Sequence, residues 1–122
     1  MQCTEYCRER MLEVNGASFP SGMGNAKDWY NKSLPDPFRK IGRIKEKSVA
    51  CFTGGPTGLG HVMFIESVDG NSFTFSEANC SIHVDGEEYS ADSMSAYIKS
   101  HGSNMTFKGC IYVDLDENHE ID

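Results

Sequence analysis

The chain contains 122 residues, of which 39% are hydrophobic and 24% charged, and its formal net charge is −7. This length is typical of one domain with a single core, and the composition is that of a globular rather than a disordered protein. The acidic charge disfavours nucleic acid and anionic membranes as partners, because both attract clustered Lys and Arg. No apolar run approaches the about 18 residues that span a bilayer. We therefore expect residues 1–122 to form a single domain without a membrane span, either alone or excised from a longer protein.

The first predicted elements are helical. Residues 2–14 predict an amphipathic helix because apolar side chains recur at i, i+4 spacing, and the following Asn15-Gly16 pair is a stop signal. After a turn rich in Gly, Ser and Pro, the segment NAKDWYNK predicts a short helix that carries Trp29, whose ring we expect to pack beneath a cleft. Residues 33–43, which contain two prolines, predict a loop.

Strand-like patterns come next in the chain. Residues 48–52 (SVACF) are apolar, and the glycine-rich TGGPTGLG connects them to a longer run at 61–68 (HVMFIESV). Asp69-Gly70-Asn71 is a hairpin signal. The run at 72–79 (SFTFSEAN) then alternates with the period of a strand, so that Glu77 and Asn79 are expected to share one face.

The C-terminal part completes the predicted fold. Residues 91–100 predict a further short helix and residues 105–115 a closing strand. Acidic residues then accumulate from Asp114 to the end of the sequence, where we expect a solvated segment. A helix followed by antiparallel hairpins predicts an α+β fold.

Cys3 is the strongest candidate for a nucleophile. It opens the first predicted helix, where unpaired N–H groups and the helix dipole favour an anion and so lower the pKa of a thiol. Glu5 opposes this effect modestly, and Cys7, one turn further along a similar face, is the rival candidate. We favour Cys3 because a position inside the helix gains less from the dipole.

A thiol nucleophile also needs a base, and a third group that orients the base. His61 begins a buried-looking strand directly after flexible glycines. Pairing across the predicted hairpin would place Asn79 opposite His61 and Glu77 diagonal to it. The remaining histidines lie in polar or acidic surroundings and are weaker candidates: His83, His101 and His119.

The chain has five cysteines, an odd number, so at least one thiol is unpaired within a monomer. Cys51 and Cys110 lie in apolar strand-like runs and are expected to be buried. Cys80 and His83 form a C-x2-H pair that could join the cysteines of the first helix in a zinc site. Those two cysteines have C-x3-C spacing and are predicted to be helical, which is unusual for structural zinc sites. We therefore predict no metal site and no cofactor.

Four motifs together resemble the CHAP domain family (cysteine, histidine-dependent amidohydrolase/peptidase), a branch of the papain-like superfamily. QCTEY resembles the nucleophile motif, in which Cys is followed by Thr and, three positions after the Cys, by an aromatic residue. GNAKDWY resembles the second motif, GLGHVMFIE the histidine motif and SEAN the acid/amide motif. The motifs extend from residue 2 to about residue 80 and are specific in combination.

The resemblance implies a papain-like fold, with N-terminal helices packed on a central antiparallel sheet. It also implies a peptidoglycan hydrolase that acts at the bacterial cell wall, as phage endolysins and bacterial autolysins do. Such an enzyme cuts amide bonds through a thioester, either as an N-acetylmuramoyl-L-alanine amidase or as an endopeptidase, and a linked wall-binding domain is a candidate partner. The alternative function is a non-catalytic wall-binding module on the same fold.

The CHAP motifs and the pairing across the predicted hairpin together suggest a role for each candidate residue. Cys3 is expected to attack the amide, and His61 to act as its base. Glu77 is expected to orient His61, with Asn79 as a second polar support. The glycine-rich loop before His61 is expected to form the rim of the cleft. The groups expected to contact substrate or the oxyanion are the backbone N–H of Cys3, Gln2 and Gly60.

Overall fold

The computed structural model describes residues 1–101 and 104–115, which form an α+β fold. The helical elements are α1 (Cys3–Asn15), a 3₁₀ helix (Ala26–Asn31) and α2 (Met94–Ser100). The strands are β1 (Phe38–Ile41), β2 (Ser48–Thr53), β3 (His61–Asp69), β4 (Ser72–Ser76), β5 (Tyr89–Ala91) and β6 (Thr106–Val113). Within these residues no helix is long and apolar enough to cross a membrane. His119 and the acidic residues after Asp114 lie outside the described residues.

The six strands form one sheet in the order β1-β6-β2-β3-β4-β5, and every neighbouring pair is antiparallel. Helix α1 and the 3₁₀ helix cover one face, where Met11 and Trp29 pack in a core with Phe64. Helix α2 covers the other face, where Tyr97 packs in a second core with Phe75. The predicted α+β, papain-like architecture is thus confirmed, with helices on both faces of the sheet.

The local stop and turn signals are confirmed where the sequence placed them. Helix α1 ends at Asn15, and the following Gly16 adopts a left-handed φ of 71° and donates its N–H to Leu12 O. In the hairpin, Asp69 pairs with Ser72, which leaves Gly70-Asn71 as a two-residue turn. This turn sets the register of β3 against β4, the strand after which Glu77 follows.

Two edge strands differ from the sequence prediction. Residues 38–41, predicted as a loop, form β1 and pair with β6 from Phe38↔Val113 to Ile41↔Cys110. The prolines that suggested a loop lie just before this strand, and an edge position tolerates them because only one side of the strand is paired. The other edge is β5, which is too short for a sequence pattern to reveal and depends on its pairing with β4.

A polar network fixes helix α1 to the sheet. The register of β3 against β4 shifts at Glu66, and this carboxylate accepts two hydrogen bonds from Arg10, at 3.0 and 2.7 Å. Glu66 also accepts from Ser76 Oγ, which in turn accepts from the Tyr6 hydroxyl. The network joins α1 to both strands of the hairpin, and it therefore positions the N-terminus of the helix relative to the hairpin.

Candidate active site

Cys3 is the first residue of α1, with Gln2 in the N-cap position. Its thiol is partly exposed and packs at the edge of the core beneath the helix. Cys7, one turn further on, is fully buried, and burial raises the pKa of its thiol well above the usual value. Of these two thiols, only that of Cys3 is placed to meet a substrate.

His61 and Glu77 follow Cys3 in a chain of hydrogen bonds. His61 is the first residue of β3, and its Nε2 lies 2.9 Å from Glu77 Oε1. The same ring is hydrogen-bonded to the Cys3 thiol. Because a carboxylate can only accept, Nε2 carries the proton of the neutral ring, and Nδ1 is left to face the sulfur. This arrangement is the one that activates a thiol nucleophile.

The electrostatics of the site favour the charged forms of Cys3 and His61. Burial by itself would raise the pKa of the Cys3 thiol, but the hydrogen bond with His61, the charge of that ring, and backbone hydrogen bonds from Val62 and Thr4 lower it below 9.0. Burial would likewise lower the pKa of His61, but hydrogen bonds with Cys3 and Glu77 raise it to about 9. Both shifts therefore favour the ion pair, a thiolate beside an imidazolium, over the neutral thiol and neutral ring.

Glu77 is a buried carboxylate, only 1% exposed, that gathers hydrogen bonds from four side chains. Its Oε1 accepts from the Tyr97 hydroxyl as well as from His61, and its Oε2 contacts His83 Nδ1 and His101 Nε2. Burial raises the pKa of a carboxyl, but the hydrogen bonds from His101, His61 and Tyr97 hold the pKa of Glu77 far below its usual value. The carboxylate is therefore ionised and available to orient His61.

Three of these neighbours were missed or ranked low from the sequence. His83 and His101 looked like loop histidines, yet both contact Glu77, at 2.5 and 3.1 Å. Tyr97 was not singled out, although its hydroxyl lies 2.5 Å from Glu77 Oε1. The sequence feature that indicates a shared position for Tyr97 and His101 is their i, i+4 spacing, which puts both side chains on one face of a helical segment.

The structure does not place Asn79 beside the imidazole. Strand β4 ends at Ser76, and Asn79 adopts a left-handed φ of 62°, so the alternation of a strand does not continue beyond Glu77. The Asn79 side-chain N–H donates to Gln2 Oε1 at 3.1 Å, and its backbone N–H donates to Asp85. The prediction that Asn79 supports His61 is therefore corrected: Asn79 supports Gln2 at the start of α1.

Gly60 occupies a point of close backbone approach. Its φ is 80°, and a Cβ added there would lie 2.5 Å from Phe52 O and 2.6 Å from Lys27 N. The preceding carbonyl, Leu59 O, accepts a hydrogen bond from Lys27 N at 2.9 Å. Gly60 also lines the cleft, as expected, but the packing of β3 against the 3₁₀ helix is a sufficient reason for glycine there.

Substitution of this glycine tests how tightly the start of β3 is fixed. Gly60→Ala is expected to lower the free energy of unfolding by at least about 2 kcal/mol, because it adds a backbone clash to the strain of a positive φ. Gly58→Ala is the matched control, since its φ is 76° but nothing lies within 4 Å of an added Cβ. We expect the control to lose about 1 kcal/mol. Urea unfolding measures both values, and equal losses would show that the contact with Lys27 is loose in solution.

An open cleft of about 620 Å³ adjoins these residues, and both Cys3 and His61 line it. The glycine-rich loop after β2 contributes Gly55 to Thr57, and the turn after Glu77 contributes Asn79 to Ile82. This volume lies within the range of about 300–1,000 Å³ that is typical of ligand sites. The Cys3 thiol is therefore accessible from the open cleft between the two loops.

Comparison with known proteins agrees with this geometry. The CHAP domain family model matches residues 1–79, which is more than half of the chain. The matched segment includes α1, the 3₁₀ helix and β1 to β4, and with them Cys3, His61 and Glu77. A search of curated proteins finds no match. The chain belongs to the CHAP domain family, whose members are generally amidases or peptidases that depend on cysteine and histidine.

Proposed function

We propose that this domain is a peptidoglycan hydrolase that cleaves amide bonds of the bacterial cell wall, as an N-acetylmuramoyl-L-alanine amidase or as an endopeptidase. The observation that carries the proposal is the hydrogen-bonded set Cys3–His61–Glu77 beside an open cleft. Membership of the CHAP family supports both the hydrolytic class and peptidoglycan as the substrate class.

In the first half-reaction the Cys3 thiolate attacks the carbonyl carbon of the amide, and the electron pair of the C=O bond moves to oxygen. The His61 imidazolium then gives its proton to the amide nitrogen. The carbon–nitrogen bond breaks, the amine leaves, and a thioester joins the acyl group to Cys3. Glu77 keeps the ring oriented through Nε2, so that Nδ1 faces both the sulfur and the leaving nitrogen.

In the second half-reaction a water molecule takes the place of the amine. Neutral His61 accepts a proton from this water as its oxygen attacks the thioester carbon. The carbon–sulfur bond breaks, the carboxylic acid product leaves, and the thiolate–imidazolium pair is restored. The overall reaction consumes one water and converts the amide into an acid and an amine.

The start of α1 supplies the group that stabilises the oxyanion. The N–H groups of Thr4 and Val62 bond to the Cys3 sulfur, and the N–H of Cys3, in the first turn of α1, serves as the oxyanion donor. The Gln2 side chain is the neighbouring candidate. Its Oε1 accepts from Asn79 at 3.1 Å, which leaves the Gln2 amide N–H₂ as the end available to the substrate.

The site of action in this proposal is the bacterial cell wall. A net charge of −7 gives the domain no electrostatic attraction to an anionic wall. A linked wall-binding domain would supply the affinity that this charge does not, and it is therefore the partner that we expect. Adding such a domain should raise the rate on intact walls more than on short soluble fragments, which need no anchoring.

Digestion of purified peptidoglycan tests the function directly. We expect soluble fragments after incubation with the wild-type domain, and mass spectrometry of the new ends identifies the bond. A free lactyl group on the glycan with a free L-alanine amine indicates the amidase, whereas new ends within the peptides indicate an endopeptidase. Binding to the wall without any released fragment would favour the non-catalytic wall-binding module instead.

The ionisation of Cys3 can be tested without a substrate. Because the pKa of Cys3 lies below 9.0, its thiolate persists at a lower pH than that of an ordinary cysteine, and alkylation by iodoacetamide should continue at that lower pH. His61→Ala removes the hydrogen bond and the charge that lower this pKa, so its alkylation profile should shift to higher pH. Peptide mapping by mass spectrometry assigns the label to Cys3. Identical profiles for the two proteins would contradict the thiolate–imidazolium pair.

A further inference from the structure

Beside Cys3 and His61, four side chains with atoms that can bind a metal ion converge on one point. The proposed hydrolysis does not use all of these atoms. The four side chains are Glu77, which directly follows β4, Cys80 and His83 in the next turn, and His101 at the end of α2. One ligand atom of each lies within 4.8 Å of the ligand atoms of the others. A tetrahedral zinc ion with bonds of about 2.0–2.3 Å holds its ligand atoms roughly 3.3–3.7 Å apart, so small side-chain movements would enclose one.

The hydrogen bonds of His101 point to a positive centre inside this cluster. Its Nδ1 lies 2.8 Å from Tyr97 O, and because a carbonyl only accepts, Nδ1 carries a proton. The neutral ring then has a bare Nε2, which lies 3.1 Å from Glu77 Oε2. Two lone pairs would face each other there unless a metal ion lies between them or a second ring proton makes the hydrogen bond to Glu77 described above. A metal-binding histidine typically donates its other ring N–H to a backbone carbonyl in this way.

His83 approaches the same carboxylate oxygen from another direction. Its Nδ1 lies 2.5 Å from Glu77 Oε2, and its ring is held by Tyr89, with ring centroids 4.0 Å apart, and by the edge of Phe75. The Cys80 thiol is also hydrogen-bonded to Glu77. Two imidazoles and a thiol therefore converge on one carboxylate, and packing against Tyr89 and Phe75 holds the ring of His83 there.

The ligand types favour zinc over other divalent ions. Imidazole and thiolate suit Zn²⁺, whereas Ca²⁺ and Mg²⁺ prefer an all-oxygen shell. One thiolate and one carboxylate would also balance the charge of the ion, so that the occupied, partly buried site carries no net charge. Cys80 and His101 line the open cleft, which provides a path for the ion from solvent.

We propose that Glu77, Cys80, His83 and His101 form a tetrahedral zinc site, in which Glu77 gives Oε2 to the metal and keeps Oε1 for His61 and Tyr97. The ion would tie the turn after β4 and the end of α2 to the carboxylate that orients His61. This site replaces the pairing of Cys80 and His83 with the α1 cysteines that the sequence suggested and disfavoured. It does not depend on whether the domain hydrolyses peptidoglycan.

Metal binding to the whole domain tests the proposal. After removal of metal with a chelator, equilibrium dialysis against Zn²⁺ followed by metal analysis should give about one ion per chain. Co²⁺ in place of Zn²⁺ should give intense tetrahedral visible bands and a thiolate-to-cobalt charge-transfer band in the ultraviolet. Zinc should also raise the melting temperature. No bound ion, or cobalt spectra without a thiolate band, would overturn the site and leave a second proton on His101 as the alternative.

Two cysteine variants identify the thiol that binds the metal. Cys80→Ser should lose the charge-transfer band and weaken zinc binding by at least about tenfold. Cys3→Ala should keep both, because Cys3 is outside the cluster. The reverse result would overturn the proposal and place the ion on Cys3 and His61. If Cys80→Ser folds poorly, the Cys3→Ala spectrum alone remains decisive, since Cys7, Cys51 and Cys110 are fully buried or nearly so.

Discussion

Cys3→Ala is expected to abolish the release of peptidoglycan fragments, with a loss on the order of 10⁴-fold or more in rate. The proposed reaction passes through a thioester, so without the sulfur no acyl-enzyme can form, and His61 has no partner to activate. Cys3→Ser should be nearly as inactive. Its hydroxyl keeps the shape and a hydrogen bond, but it ionises far less readily than a thiol. Fragment release followed by mass spectrometry measures both variants.

A matched control separates loss of the nucleophile from loss of a thiol in general. Cys110→Ala removes a buried thiol from the core beneath α2, on the face of the sheet opposite to α1. It should keep most of the activity, because the change leaves the start of α1 untouched. Thermal unfolding should show that Cys3→Ala is folded. Normal turnover by a folded Cys3→Ala protein would show that another residue is the nucleophile.

One part of the site could be predicted because short-range patterns determine it. The two-residue turn at Gly70-Asn71 sets the pairing of β3 with β4 next to the turn, and the bulge at Glu66 then shifts it by one residue. Together they bring Glu77 towards His61. Cys3 could be added because it lies at the beginning of the amphipathic pattern of α1, whose stop signal is clear, although its contact with His61 is long-range. The CHAP motifs cover these same segments, so the family motifs and the hairpin pairing point to the same residues.

The rest of the site depends on contacts that local periodicity does not encode. His101 reaches Glu77 only because α2 packs on the face of the sheet opposite to α1, and no spacing in the sequence links those two residues. The C-x2-H spacing of Cys80 and His83 is visible in the sequence, but no sequence pattern links this pair to His101. Asn79 departs from the prediction because β4 ends at Ser76 and Asn79 itself adopts a positive φ. The alternation of the strand therefore does not reach Asn79.

Glu77→Gln replaces the carboxylate that orients the base, His61. We expect it to lower the rate of fragment release on the order of 10³-fold. The carboxylate accepts from His61 and Tyr97 at Oε1 and contacts His83 and His101 at Oε2. An amide has one oxygen and one N–H₂ group, so one of these two pairs would face a donor. Where the N–H₂ faces His61, Nε2 loses its acceptor, and the ring no longer keeps Nδ1 towards Cys3.

Asn79→Ala is the control for this ranking. Its side chain contacts Gln2 rather than the imidazole, so we expect a loss of less than about tenfold, through a less ordered N-cap. Thermal unfolding of both variants shows how much of any loss comes from misfolding. A larger loss for Asn79→Ala than for Glu77→Gln would contradict the orientation of His61 by Glu77.

The proposed zinc site makes a second explanation of a Glu77→Gln defect possible, and Cys80→Ser distinguishes the two. That substitution removes a proposed ligand of the metal but leaves the contact between Glu77 and His61. If orientation of His61 is the cause, Glu77→Gln should be far slower than Cys80→Ser, and equally slow with zinc or with a chelator. If the two variants are equally slow, and the wild type slows to the same rate in chelator, the ion rather than the carboxylate controls the position of His61. The ratio of the two rates therefore measures how much of the role of Glu77 is exerted through His61 alone.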